Sequence, residues 1–296
     1  MISSGVAAMM PDPGRGTEVW WFIATLPTVL LLLLVFAFPF FILAENSLHL
    51  DEGLTRVSTE FTIANYVMFL SDSFYLQILA RTFGMALVVV LACAVLAYPV
   101  AYFVARSSGT LRACAIFFVI APLLISLVIR NLGLFPVLGE SGLVNAVLKS
   151  LGLIEEPLIL LNNMVGVQIG LIHALLPLMI LSLVVAIQSV DYDIELAACS
   201  LGASPLRVFF RVVFPLTRTG LLSGSVLVFT VATSAYTTPV MMGGNRVLVM
   251  STYLGKEMLS VLNYAFAATC AVILVATSLL LAGLSFRGTE RPAGLA

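Results

Sequence analysis

The stretch 195-ELAACSLGASPLRVFFRVVFPL-216 stands between two long apolar runs. It is too polar to cross a bilayer and too regular for an irregular loop. Asp191, just ahead of it, is suited to cap a helix, and Asp193 and Glu195 fall in the first turn, where acids complement the helix dipole. Ile194, Ala197, Ala198 and Leu201 recur at i, i+3, i+4 and i+7, so one face of that helix is apolar. Gly202 is placed to end it in the left-handed conformation. Ser204 and Pro205 then read as the cap and first residue of a second helix. That helix carries Val208, Phe209, Val212 and Val213 on one side and Arg207 and Arg211 on another, and Pro215 marks entry to the next apolar run. The segment is therefore expected to be a helix, a glycine turn and a second helix at a membrane edge. It is either an interfacial elbow whose arginines reach lipid headgroups or a docking surface for a soluble partner.

Composition fixes the surroundings. Of 296 residues, 61% are hydrophobic and 10% are charged, whereas soluble domains carry about 25% charged residues. So few charges cannot coat a soluble globule of this size. Several apolar runs exceed the roughly 20 residues that span a bilayer. Six spans are expected, at 19–44, 79–105, 113–135, 164–187, 216–240 and 264–286. The first is read as a retained span, because its apolar run is long and lacks a cleavage site. Trp20, Trp21 and several tyrosines sit near span ends, where amphipathic rings favour the interface.

The 14 Lys and Arg residues divide eight to six in favour of the side that holds the N-terminus. The short loop 106-RSSGTLR-112 carries two arginines and no acid. Both termini are therefore expected in the cytoplasm, with tails at 1–18 and 287–296, a six-helix membrane domain at 19–286, and the opening segment in a cytoplasmic loop at 189–215. The outer loops, 45–78 and 136–163, are too short for separate domains. They hold short amphipathic pieces, 62-TIANYVMFL-70 and 143-LVNAVLKSLGL-153, expected to cap the outer mouth. A net charge of -1 gives no footprint for nucleic acid. Cys93, Cys114, Cys199 and Cys270 lack the paired spacing of a metal site or disulfide framework and are read as small buried hydrophobes.

The loop resembles the signature of the permeases of bacterial ABC importers, the inner-membrane components of binding-protein-dependent transport. That pattern runs Glu-Ala-Ala, three residues, Gly, nine residues, an aliphatic residue, one residue, Leu-Pro. Ala197 and Ala198 fall on the alanines, Gly202 on the glycine, Val212 on the aliphatic position and Pro215 on the proline. Leu196 stands at the glutamate position, with Glu195 one residue early, and Phe214 stands at the leucine position. The segments 65-NYVMFLSDSFYLQILARTFGMALVV-89, 122-PLLISLVIRNLGLFPVLGESGLVNAVL-148 and 232-ATSAYTTPVMMGG-244 look like the spermidine/putrescine-type branch.

The resemblance implies an all-α membrane protein, a six-helix type I permease with a cytoplasmic coupling helix. Two such subunits, this one and a related chain, would form the pore in the bacterial inner membrane. Two copies of an ATP-binding subunit would grip the loops, and a periplasmic binding protein would deliver the solute. On this resemblance Glu195, Leu196, Ala197, Ala198, Gly202, Ala203, Ser204, Pro205 and Pro215 carry the contact with the ATPase. A salt bridge to that partner would come from Glu195, about 100° round the helix from position 196, or be absent. ATP and Mg would sit on the partner; this chain has no G-x-x-x-x-G-K-[ST] stretch to cradle phosphates and is expected to bind no cofactor or metal and to have no catalytic residues.

Polar groups inside spans are costly and carry a functional hypothesis by default. The route candidates are Arg130, Asn131, Gln168, His173, Thr233, Tyr236 and Thr237, with Pro99, Pro122, Pro177 and Pro239 able to kink helices. Serines and threonines can instead bond their own helix, and Arg130 would repel a cationic solute, which suits it to bracing the outer gate. The competing class is an ion-coupled secondary transporter. It calls for charged relays in the spans and an inverted repeat, and neither is visible. A membrane enzyme calls for a His-based cluster, and the two histidines are His49 and His173.

Overall fold

A computed structural model describes residues 15–53, 56–58 and 60–287. The chain opens with α1 (Arg15–Asn46), a two-stranded hairpin of β1 (Asp51–Gly53) and β2 (Arg56–Val57), and α2 (Ala64–Ser71). Then come α3 (Ser73–Arg106), α4 (Gly109–Ile120), α5 (Leu127–Leu138), α6 (Leu143–Ser150) and α7 (Met164–Gln188). The opening segment supplies α8 (Tyr192–Ser200) and α9 (Pro205–Val208), which widens into a π turn at Phe209–Val213 and runs on as α10 (Phe214–Leu216). The chain ends with α11 (Arg218–Ser234), α12 (Thr237–Gly243), α13 (Met250–Lys256) and α14 (Tyr264–Arg287).

Side-chain caps start four of these helices: Asn263 caps α14 by accepting from the Phe266 amide (2.8 Å), and the other three are α3, α7 and α8. The Asp72 carboxylate accepts from the Phe74 amide (2.8 Å), Asn163 from Gly166 (2.9 Å) and Asp191 from Asp193 (3.0 Å). Each satisfies an amide that a helix start leaves orphaned.

The core is the packing of α3, α7 and α11. On α3, Val89, Cys93, Ala97 and Ala101 form a fully buried stripe spaced four residues apart. It faces Leu171, Met179, Leu183 and Ile187 of α7. Small residues set the approach of α11. A Cβ on Gly220 would lie 2.2 Å from Ala186 Cβ, and one on Gly224 would lie 2.8 Å from Met179 Sδ. Without a hydrophobic drive between helices in lipid, such close backbone contact supplies the association. At the end of the bundle away from α8, a second cluster ties α2, α3, α13 and α14 together through Phe69, Ile78, Met250, Tyr253 and Phe266. Tyr75 sits at its centre, in ring contact with Phe69, Phe74, Tyr253 and Phe266. Helix α1 packs along α14 and leaves Leu30, Leu33, Leu34, Phe36, Phe38 and Phe41 open, as suits a lipid-facing span.

Among the described residues, five helical runs are long and apolar enough to cross a membrane. A sixth is counted when Pro205–Leu216 and Arg218–Ser234, bent by 67°, are taken together. The expectation of one helix at 113–135 is corrected. That stretch is α4 and α5, separated by a 3-10 turn at Ala121–Leu124 and extended residues at Ile125 and Ser126. Pro122 at the start of the turn is the physical reason, since it cannot donate to the helix ladder. The span expected at 216–240 is likewise interrupted, at Ala235 and Tyr236, before α12. By contrast, Pro99 and Pro177 lie within continuous helices. The amphipathic outer pieces are α2 and α6. Cys93 and Cys270 are buried as expected, but Cys114 and Cys199 are exposed, on the outward sides of α4 and α8.

Candidate coupling surface and translocation route

The opening segment folds as helix, glycine turn and helix. Gly202 has φ +84°. Its amide donates to the Cys199 carbonyl (2.9 Å) and the Ala203 amide donates to the Ala198 carbonyl (3.2 Å), which closes α8 with the Schellman pair of bonds. Ser204 and Pro205 begin α9, although the Ser204 side chain makes no capping bond.

The polarity of α8 is inverted. Its one buried residue is Glu195, 3% exposed. Leu196 is 47% exposed, Leu201 90% and Leu206, on α9, 72%. Ile194, Ala197 and Phe210 are also open, and Ala198 and Ala203 are half-buried. The apolar face read from the sequence thus points away from the bundle, and the acid points in.

There Glu195 Oε2 accepts from the Tyr102 hydroxyl at 2.7 Å, and Oε1 is paired with Arg106. Arg106 also donates to the Val190 carbonyl at 3.2 Å, and its guanidinium lies 5.3 Å from the Tyr192 ring centroid. Of the two alternatives for a salt bridge to a partner, from Glu195 or absent, this geometry favours the second. The Glu195 carboxylate is taken up within the chain, because burying an anion requires a cation and hydrogen-bond donors beside it. Pro215 lies in α10, just before Thr217, where the chain bends into α11.

The route candidates separate into open and closed sets. Arg130 donates to the carbonyls of Pro122, Ile125 (3.0 Å) and Ala174 (3.4 Å). The Pro122 carbonyl also accepts from the Ile125 amide (3.2 Å), so at the break between α4 and α5 the carbonyl that relies on Arg130 is that of Ile125, which would otherwise be bare at membrane depth. His173, next to Ala174 in α7, is open. Asn131 is fully buried and donates to Thr238 Oγ1 at 3.2 Å, joining α5 to α12. A Cβ on Gly170 of α7 would strike Thr238 Cγ2 at 2.7 Å, so this junction is tight. Thr233 is buried and bonds its own helix, to Phe229 (3.0 Å) and Thr230 (2.9 Å). Tyr236 is exposed at the break after α11 and lies over Gly255, where a Cβ would come within 2.6 Å of its ring. Gln168 and Thr237 are half-buried. The open set is His173, Tyr236, Gln168 and Thr237; Asn131 and Thr233 are buried and bonded within the bundle.

At the end away from α8, a recess of about 480 Å³ is lined by Glu140, Leu161, Asn162, Gly244 and Arg246. Sequence reasoning passed over Tyr98, Tyr102 and Thr217. It counted Arg106 only for orientation. The signal available was spacing: positions 98, 102 and 106 are four apart on one face of α3.

A bundle of apolar helices, two of them interrupted, with a short helix pair held at one end, defines a permease subunit. The chain belongs to the binding-protein-dependent transport system inner membrane component family, whose pattern matches residues 94–287. It is a multi-pass inner-membrane permease subunit of an ABC importer and not the ATP-hydrolysing one. This leaves the ion-coupled reading without support.

Among its relatives is the spermidine/putrescine transport system permease protein PotB of Escherichia coli (strain K12), 33% identical over 244 residues, 82% of this chain and 88% of that protein. PotB of Haemophilus influenzae (strain ATCC 51907 / DSM 11121 / KW20 / Rd) is 32% identical over 257 residues, 85% of this chain and 90% of that one. A solved bacterial ABC transporter for the acidic polysaccharide alginate has the same fold, with TM-score 0.74 at 16% identity over 94% of this chain and 98% of that one. The MetNI methionine transporter aligns with TM-score 0.54 at 15% identity over 73% of this chain and 96% of that one.

Proposed function

We propose that this chain forms half of the translocation pore of an ATP-driven importer for a polyamine such as spermidine or putrescine. Both termini and the loop bearing α8 lie in the cytoplasm. The outward apolar face of α8 and α9, centred on Leu201, docks in a groove on an ATP-binding subunit. Two such subunits bind ATP and Mg, and this chain binds neither. A second permease, a related chain, completes the pore. A periplasmic binding protein presents the solute at the recess near Arg246. ATP binding closes the two ATPases, and differential affinity of ATP for the closed state drives the membrane half between two conformations.

The observation that carries the docking reading is the inversion of α8. Leucines turned out while a carboxylate is turned in suit a surface that a partner covers. The polyamine reading is supported by similarity to PotB along most of the chain. The test is uptake by proteoliposomes holding the assembled transporter and its binding protein. Spermidine or putrescine should be imported in preference to amino acids and sugars, and Leu201→Glu should release the ATPase. Uptake confined to a non-amine solute would remove the polyamine assignment, and an ATPase still bound to Leu201→Glu would remove the docking face.

A further inference from the structure

Three polar side chains on one face of α3 hold three different parts of the loop that follows α7. Tyr98 shares a hydrogen bond of 2.8 Å with Thr217, at the bend into α11. One turn on, Tyr102 donates to Glu195 Oε2, and its ring meets Phe209 edge-on. One turn further, Arg106 pairs with the other oxygen of Glu195, donates to the Val190 carbonyl ahead of α8 and lies over Tyr192 within it. Residues four apart on a helix stand above one another, so the three form a ladder up the last turns of α3. Its rungs reach the start of α8, its middle, and the end of α10. The buried carboxylate of Glu195 and the Arg106–Tyr192 contact tie α8 to α3.

We infer that Arg106, with Tyr102, is a positioning residue that fixes the rotation of α8 and carries its displacement into α3 through Glu195. This rests on the docking of α8 proposed above. A neutral, exposed linkage would slip as the helix is pushed. A buried ion pair with a second donor has one low-energy geometry, and separating it strands charge away from water. Helix α3 is the receiving element because it packs along both α7 and α11. A push on α8 thus reaches the core directly, without passing through the chain joints at Ser189 and Thr217.

The test is a double-mutant cycle in the reconstituted transporter, with two readouts: retention of the ATPase subunit, and solute imported per ATP hydrolysed. Arg106→Gln and Glu195→Gln should each retain the ATPase yet lower that ratio about tenfold, within the usual range of coupling energies. The double variant should be no worse than the poorer single one. Tyr102→Phe, which removes one hydroxyl, should lower the ratio about threefold, consistent with one hydrogen bond to a charged group. An unchanged ratio in Arg106→Gln or Tyr102→Phe, or additive losses in the double variant, would overturn the inference. If Arg106→Gln does not accumulate in the membrane, Tyr102→Phe decides alone by the same outcomes. Failure of the wild-type chain to retain the ATPase would instead sink the docking proposal.

Discussion

Tyr98 and Thr217 share a 2.8 Å hydrogen bond across 119 positions of sequence, and Thr217 is fully buried. The same hydroxyl of Thr217 bonds the Val213 carbonyl at 2.8 Å. One side chain therefore closes the 67° bend before α11 and ties it to α3. Thr217→Val should cost about 1–3 kcal/mol, because the buried tyrosine hydroxyl loses its partner. Thr217→Ser should cost less. Thermal unfolding of the detergent-purified chain compares the two, and a loss in Thr217→Ser as large as that in Thr217→Val would show that the hydroxyl is not the dominant group.

The approach of α11 to α7 depends on Gly220. Any side chain there meets Ala186 Cβ at 2.2 Å. Gly220→Ala should destabilise by about 1–3 kcal/mol, the usual cost of overpacking. Ala186→Gly in the same chain should recover part of it. A lack of coupling between the two changes in unfolding measurements would mean that the helices separate freely.

Gly202 is the opposite case. Nothing lies within 4 Å of a Cβ placed there, so only its φ of +84° resists substitution. Gly202→Ala should cost about 1–2 kcal/mol of local backbone strain and loosen the end of α8. Hydrogen exchange at the Gly202 and Ala203 amides should rise in the variant, while protection in α7 stays as it was.

Tyr253, in α13 outside the spans, has its hydroxyl pushed above the ordinary phenol range. Burial is the main cause, followed by the neighbouring Glu257 and Tyr75. A raised folded value favours the neutral form, so its contribution to stability is complete below the unfolded value of about 10. It is lost as pH climbs from there toward the folded value. Tyr253→Phe should flatten the fall in stability above about pH 10. An identical alkaline profile in the variant would assign that fall to other groups.

His173 and Thr237 belong to the open set of polar span residues. His173→Ala and Thr237→Ala should lower uptake more than they lower assembly of the complex. Full uptake by both variants would take these two out of the route. Arg130→Ala should fail differently, by destabilising the break between α4 and α5, since the Ile125 carbonyl loses its donor.

Much of this was readable in the residues. Apolar run lengths located most of the bundle, and Asp191, Gly202 and Pro205 placed both helices of the loop to within a residue. These signals are local: a cap, a left-handed turn and a fixed φ act within one turn of chain. The break at Pro122 was harder, since Pro99 and Pro177 look alike in sequence yet sit in continuous helices. What separates them is tertiary, because Arg130 satisfies the Ile125 carbonyl that the break after Pro122 leaves open. The inward turn of Glu195 was hidden for the same reason. Its partners Tyr102 and Arg106 lie about 90 positions earlier, and no periodicity within α8 reports them. Thr233 misled in the other direction. A threonine in a span looks like a route residue until its bonds to Phe229 and Thr230 are seen.

Helix α8 keeps its anion inside and its leucines outside, which has a consequence for how the subunit is made. Until that face is covered, Leu201 and Leu206 are sticky ends. A copy produced without its companion ATPase offers them to chaperones and proteases, or to another orphan copy. On the proposed docking, the supply of the two chains has to be matched, because the leucines that meet the ATPase are the same ones that an unaccompanied copy leaves open.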